Sequence, residues 1–154
     1  MQLALYQPDI PQNTGTILRL AACLFVPVHI IEPTGFDASD RALKRAGLDY
    51  LSHADIHRHA SFAKFDSWRS DAGHRLVLAS TKADVPYTGF SFRTGDLLLL
   101  GRESAGVPED VHRIADARIL IPVTQATRSL NVAVAAAMML GEALRQTNGF
   151  PEPC

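Results

Sequence analysis

Short apolar runs recur along the chain, and segments with helical periodicity separate them. Five short runs, apolar at every position except His29, predict strands, at residues 3–6, 28–31, 76–79, 97–100 and 119–121. Strands that are apolar on both faces are typical of a parallel sheet that is covered by helices on either side. The pattern therefore predicts an α/β fold with a mostly parallel sheet and helices on both faces.

Five helices are predicted between and after these strands. They are placed at about residues 15–25, 39–46, 62–70, from 108 onward, and 130–147. Candidate boundary residues are N-caps at Asn13, Ser61 and Ser129, a first helical position at Pro108, and a C-terminal stop at Gly47. The regular alternation of strands and helices predicts a single domain.

Composition and length suit one globular domain in the cytosol. The chain has 154 residues, of which 47% are hydrophobic and 20% charged. No apolar run reaches the ~18 residues that a membrane span needs. The N-terminus also lacks the basic segment and long apolar core of a signal peptide. We expect one cytoplasmic domain over residues 1–154, without membrane contact, and a loose tail from about residue 150.

The residue types argue against a metal centre and against binding of nucleic acid through overall charge. Cys23 and Cys154 are the only cysteines, so neither a disulfide framework nor a zinc spacing is present. His57 and His59 have no co-ligands arranged around them in the sequence. The net charge of −1 excludes a uniformly basic surface but is compatible with a local basic face.

Ligands of open parallel sheets bind at the carboxyl ends of the strands, and the first loop there comprises residues 7–15. Asn13 lies in this loop, and Arg19 follows it by six positions. If Asn13 caps the helix, both side chains face the loop end of the sheet. Arg19 stands between apolar residues, where a guanidinium needs an anionic partner such as phosphate. A plain helix cap and a surface charge are the alternative interpretations.

The second loop, residues 101–108, follows the strand of four leucines. Gly101 and Gly106 bracket four residues, as in a phosphate-binding loop, but Val107 and Pro108 stand where that motif requires Lys and Ser or Thr. No Gly-x-Gly-x-x-Gly is present either. These absences exclude a P-loop nucleotide triphosphatase and a dinucleotide-binding fingerprint. What remains is a glycine-bounded loop, carrying Glu103, where backbone can approach a ligand closely.

The third loop, residues 122–131, offers hydroxyl, amide and guanidinium groups, including those of Arg128, Ser129 and Asn131. The helix that follows has no polar side chain from position 132 to position 140. A helix that is apolar all round is buried on all sides. That burial comes either from a second copy of the chain or from the core of a monomer, and composition leaves both possibilities open.

In order and spacing, these segments resemble the SPOUT superfamily of RNA methyltransferases. The matching segments are residues 13–19 (NTGTILR), 99–106 (LLGRESAG), 121–122 (IP) and 129–132 (SLNV). The resemblance spans the whole chain. Residues 31–36 (IEPTGF) and 45–50 (RAGLDY), together with the small size, resemble the TrmL-type group, which 2′-O-methylates the wobble nucleotide of certain leucine tRNAs.

The resemblance implies a C-terminal trefoil knot whose loops clasp S-adenosylmethionine, no metal, and a homodimer with its active sites at the interface. The implied cofactor contacts are Ala79, Gly101, Ile121, Ser129 and Leu130. The implied catalytic residues are Arg19, Glu103, Ser129 and Asn131, and the implied substrate-binding residues are Asn13, Arg19 and Arg128.

The function that the resemblance implies is S-adenosylmethionine-dependent methylation of the ribose 2′-hydroxyl of C or U at tRNA position 34, with leucine tRNAs as expected substrates. A guanidinium keeps its proton, so we expect Arg19 to hold a phosphate and stabilise the developing alkoxide. Asn131 and Ser129 would orient the reactants. The alternatives are another tRNA or rRNA site, or an RNA- or nucleotide-binding protein without catalysis. A small-molecule hydrolase ranks last because no Gly-x-Ser-x-Gly elbow is present.

Overall fold

A seven-stranded sheet forms the centre of the computed structural model, which describes residues 1–45 and 49–153. Its strands are β1 Gln2–Tyr6, β2 Val28–Ile31, β3 Ile56–His59, β4 Arg75–Ala79, β5 Val85–Pro86, β6 Asp96–Leu100 and β7 Ala117–Leu120. The strand order is β3-β2-β1-β6-β4-β7-β5, and every ladder between these strands is parallel. All carboxyl ends of the strands therefore meet along one edge.

Helices cover both faces of this sheet, as the sequence predicts. They are α1 Pro11–Cys23, α2 Asp40–Arg45, α3 Phe62–Asp71, α4 Glu109–Ile114 and α5 Val132–Thr147, with 3-10 turns at Asp49–His53 and Tyr87–Gly89. One buried apolar cluster packs α1 and α5 against the sheet, through residues such as Ile17 and Leu140. The opposite cluster packs α3 and α4 through Phe65 and Val111. The prediction of an α/β fold is confirmed, and the trefoil knot stays a prediction.

The five predicted strands are all present, and the described residues contain two more, β3 and β5. Strand β3 carries two exposed side chains in its four residues, and both residues of β5 are exposed. They lie at the two edges of the sheet, where one side of a strand needs no apolar cover. Neither segment contains the continuous apolar run by which the central strands were recognised.

Several predicted helix boundaries are wrong. Helix α1 begins two residues before Asn13, with Ile10 as a cap that makes no side-chain hydrogen bond, so Asn13 is not the N-cap. Pro11 fixes this start because its ring suits the first helical turn. Helix α5 is capped by Asn131 and not by Ser129. Pro108 is the N-cap residue of α4 and not its first helical residue.

Other predicted features are confirmed or lie outside the described residues. The Ser61 hydroxyl caps α3 by accepting the N–H of Lys64 at 3.2 Å, as predicted. The predicted end of the second helix at residue 46, with Gly47 as its stop, lies outside the described residues, as does Cys154. In the described part of the chain, no helix has both the length and the apolar character for crossing a membrane. The single domain and the loose tail stay predictions.

Candidate active site

A cavity of about 540 Å³ opens at the carboxyl ends of β4, β6 and β7. This volume lies within the range of small-molecule and cofactor sites. The five predicted cofactor contacts all line it, namely Ala79, Gly101, Ile121, Ser129 and Leu130. Its wall also contains Asn13, Glu103 and Asn131, one from each of the three candidate loops. The sequence prediction that these loops converge on one cavity is therefore confirmed.

A directional chain of hydrogen bonds joins the three loops. The Asn131 Oδ1 caps α5 by accepting the N–H groups of Ala133 at 2.8 Å and Val134 at 3.3 Å. Because the oxygen must face these donors, the Nδ2 of Asn131 points away and donates to Asn13 Oδ1 at 2.9 Å. The Nδ2 of Asn13 in turn donates to Glu103 Oε1 at 3.3 Å. Capping of one helix thus sets the orientation of two further polar side chains in the cavity wall.

Asp9 and Glu103 exchange hydrogen bonds across the gap between the first and second loops. The Asp9 N–H donates to Glu103 Oε2 at 3.1 Å, and the Glu103 N–H donates to Asp9 Oδ1 at 3.2 Å. Burial, followed by the contact with Asp9, raises the pKa of Glu103. Hydrogen bonds from Glu103 and Ser104 lower the pKa of Asp9 to about 2. The arrangement favours a charged Asp9 beside a Glu103 that accepts a proton more readily than an ordinary glutamate.

The loop between the two glycines is folded tightly against itself. Arg102 and Gly106 exchange backbone hydrogen bonds of 3.0 and 2.8 Å. Gly106 has a φ of +64°, in the region that favours glycine. At Gly101, an added Cβ would lie 2.8 Å from the Gly106 carbonyl carbon and Cα. Only glycine fits at Gly101, and the bare backbone here forms part of the cavity wall.

Arg19 lies outside the cavity, on the exposed side of α1. The prediction that it faces the sheet end together with Asn13 is wrong. Six residues along a helix turn by about 600°, which leaves the two side chains about 120° apart. The apolar neighbours of Arg19 turn inward, and its guanidinium lies 4.7 Å from the centroid of the Tyr50 ring, with 3.5 Å from Nη2 to the hydroxyl. Its partner is therefore an aromatic ring and not an anion.

Arg128 is exposed in the third loop and is not brought to the cavity wall. Sequence reasoning missed three further features of this region: Asp9, Tyr50, and the polar segment after β4 that contributes Ser80, Thr81 and Lys82 to the wall. The rule that ligands bind at strand ends would have pointed to that polar segment. Asp9 stands inside the first loop, but no local pattern distinguishes it from a solvated acid.

Comparison with known proteins agrees with this geometry. Residues 1–141 match the SpoU rRNA Methylase family. A tRNA (cytidine(34)-2′-O)-methyltransferase of Beijerinckia indica is 65% identical over 148 residues, which cover 96% of this chain and 92% of that protein. The enzyme of the same name from Escherichia coli K12 is 37% identical over 153 residues, covering 98% and 96% of the two chains.

Solved structures show the same fold. One, described as "Structural insights into the 2-OH methylation of C/U34 on tRNA", has a TM-score of 0.85 at 44% identity and covers 94% of each chain. The SpoU methyltransferase AviRb from Streptomyces viridochromogenes, in complex with AdoMet, has a TM-score of 0.83 at 29% identity and covers 95% of this chain and 57% of that one. The chain therefore belongs to the SpoU rRNA methylase family, within the SPOUT RNA methyltransferases.

Proposed function

We propose that this protein methylates the ribose 2′-hydroxyl of the wobble nucleotide, C or U at position 34, in tRNA, with leucine tRNAs as the expected substrates. The observation that carries this proposal is the convergence of Asn13, Glu103 and Asn131 on one cavity at the strand ends. Relatives at up to 65% identity are named for methylation at this nucleotide. Because tRNA is the proposed substrate, the proposal includes a cytoplasmic location.

The cavity fits S-adenosylmethionine by size and by the chemistry of its wall. Leu130, Val132 and Met139 supply apolar surface for an adenine ring. The backbone around Gly101, where a Cβ has no room, supplies close hydrogen-bonding groups. Ala79, Ile121 and Ser129 would complete the cofactor contacts. When bound, S-adenosylmethionine supplies a methyl group that its sulfonium charge already activates for in-line transfer.

In the proposed reaction, residues of the chain align the ribose hydroxyl with the methyl group and accept the proton that the hydroxyl loses. Alignment of reacting groups can lower the activation barrier by about 7 to 11 kcal/mol. Asn131 is held rigidly by the helix cap, and Ser129 lies two residues before it in the wall, so both suit the orientation of bound groups. Burial raises the pKa of Glu103, so its carboxylate is suited to accept a proton at that edge of the cavity.

Arg19 is proposed to hold a substrate phosphate and to stabilise the alkoxide. Its guanidinium keeps its proton, so it is not a base. The exposed position of Arg19, outside the cavity of its own chain, supports a role toward bound RNA or toward the site of a second subunit. A phosphate could displace the Tyr50 ring, because an exposed cation–π contact contributes only about 0.5 to 1 kcal/mol.

A homodimer is part of the proposal. Helix α5 buries one side in the core, whereas Val134 and Met138 on its other side are 48% and 38% exposed. Leu130 and Ile10, at the mouth of the cavity, are each 40% exposed. The apolar helix predicted from the sequence is thus half covered by its own chain. A second copy packed on the exposed side would cover the rest and would bring residues of one subunit to the cavity of the other.

Transfer of label from S-adenosylmethionine to RNA tests the proposed function. The protein is incubated with methyl-labelled cofactor and bulk tRNA from cells that lack the modification, and the labelled ribose is mapped. We expect 2′-O-methyl at nucleotide 34. Label at another tRNA position or in rRNA would assign a different target, and cofactor binding without transfer to any RNA would support a non-catalytic protein.

The variant Arg19→Ala tests the assigned role of this residue. We expect it to bind S-adenosylmethionine normally and to lose most of its transfer activity, at least 10-fold, because the phosphate contact is lost. Arg113→Ala, which removes an exposed arginine from α4 on the opposite face of the sheet, serves as the matched control and should retain activity. Near-normal turnover of Arg19→Ala would remove Arg19 from the mechanism.

A further inference from the structure

We infer that Asp9 is a positioning residue, whose carboxylate holds the 101–106 loop against the first loop and thereby fixes the chain of polar side chains from Glu103 to Asn131. The role in methyl transfer rests on the proposed function, whereas the role in shaping the cavity does not. Asp9 itself lies behind the cavity wall, so it acts through Glu103 and not on a bound molecule.

Asp9 contacts three consecutive residues of the 101–106 loop. Its Oδ1 accepts the backbone N–H of Glu103 at 3.2 Å. Its Oδ2 accepts the hydroxyl of Ser104 and lies 3.6 Å from the Nε of Arg102. The Asp9 N–H completes the set by donating to the Glu103 carboxylate at 3.1 Å. One residue thus engages this loop with both carboxylate oxygens and with its backbone.

Asp9 is in turn fixed from its other side by the segment after β2. The N–H of Gly35 donates to the carbonyl of Pro8 at 2.9 Å. A Cβ added to Gly35 would lie 2.7 Å from the Cβ and 2.9 Å from the Cα of Asp9, so this glycine backbone packs directly on Asp9. The side chain of Asp9 is 15% exposed. A carboxylate held this firmly is a fixed anchor to which the loop is attached.

A series of hydrogen bonds connects Asp9 to the wall of the cavity. Asp9 holds the backbone of Glu103, the Glu103 carboxylate accepts from Asn13, and Asn13 accepts from Asn131. Loss of the Asp9 charge would remove the ion-pair partner of the Arg102 Nε and weaken the acceptor of the Ser104 hydroxyl. The lowered pKa of Asp9 and the raised pKa of Glu103 agree with this division into a charged anchor and a carboxyl that it orients.

Asp9→Asn is the diagnostic variant, because it keeps the size of the side chain and its acceptor for the Glu103 N–H. Its amide group, however, would turn a donor toward Arg102. We expect at least 10-fold weaker binding of S-adenosylmethionine by calorimetry, with a thermal midpoint within a few degrees of wild type. We also expect faster amide hydrogen exchange in the 101–106 loop. Asp71→Asn, an exposed acid on α3, is the matched control and should change none of these values.

A double-mutant cycle with Glu103→Gln separates action through Glu103 from a general effect on the fold. If Asp9 acts through Glu103, adding Asp9→Asn to Glu103→Gln costs little further affinity or single-turnover rate, since effects of coupled residues are not additive. Independent, multiplicative losses would overturn the inference, as would wild-type affinity of Asp9→Asn. If the wild-type protein methylates no tRNA, the proposed function fails, and the cofactor-affinity cycle still decides the role of Asp9.

Discussion

Acid should destabilise this protein through His29, a histidine that is 1% exposed in the sheet. Both ring nitrogens are engaged, Nδ1 with His59 Nε2 at 2.9 Å and Nε2 with Gln2 Oε1 at 2.6 Å. The ring also packs against His57 and Trp68, with centroids 4.9 and 4.4 Å apart. A charged imidazolium at this position would lose its hydration and face other histidines.

Burial, and then the charges of the neighbouring histidines, lower the pKa of His29 to about 3. In the unfolded chain the pKa is the ordinary value near 6.5. The unfolded state therefore binds one more proton than the folded state between these values. The stabilisation is complete above pH 6.5 and declines as the pH falls, by about 1.4 kcal/mol per unit. At pH 5.0 the loss from this one residue is about 2 kcal/mol.

Urea unfolding at pH 7.5 and pH 5.0 measures this loss. We compare the wild type with His29→Gln, which can still hydrogen-bond but does not titrate, and with His53→Gln, an exposed control. His29→Gln should be less stable than wild type at pH 7.5, and its free energy of unfolding should fall by about 2 kcal/mol less on acidification. An equal fall in His29→Gln and wild type would refute the reasoning. His53→Gln should behave as wild type.

Substitutions at two further positions test the cavity and the surroundings of Arg19. Gly101→Ala should weaken S-adenosylmethionine binding by at least 10-fold in calorimetry, because its Cβ would meet the Gly106 backbone at 2.8 Å. Gly89→Ala, where a Cβ meets nothing within 4 Å, should bind normally, and equal affinity of the two variants would contradict the steric argument. Tyr50→Leu should lower the transfer rate more than Tyr50→Phe, since only phenylalanine keeps a ring beside Arg19, and identical rates would exclude a role of that ring.

The central sheet could be predicted because its strands are buried on both faces. In β6, every residue is buried, and the four leucines record this directly in the sequence. Strand β3 lies at the edge of the sheet and carries His57 and Arg58, whose side chains are exposed. These polar residues interrupt the apolar run that would have predicted a strand. Apolar runs therefore predict the buried strands but not the edge strands, which form because of their position beside the rest of the sheet.

The cavity could be located from the sequence, but the directions of its side chains could not. Residues such as Gly101 and Ile121 follow strands, so topology alone brings them to one edge. Pro11 starts α1 three residues earlier than an Asn13 cap implies, so Asn13 lies inside the helix and about 120° around it from Arg19. The contact of Asp9 with Glu103 joins positions 94 residues apart, and no local pattern encodes such a pairing.

Amide hydrogen exchange with and without S-adenosylmethionine tests most directly that the three loops form one cofactor site. The account predicts that the cofactor slows exchange in residues 101–106 and 121–131, with a smaller effect around Asn13 and none in α3. Protection confined to other segments, or no protection at saturating cofactor, would contradict it.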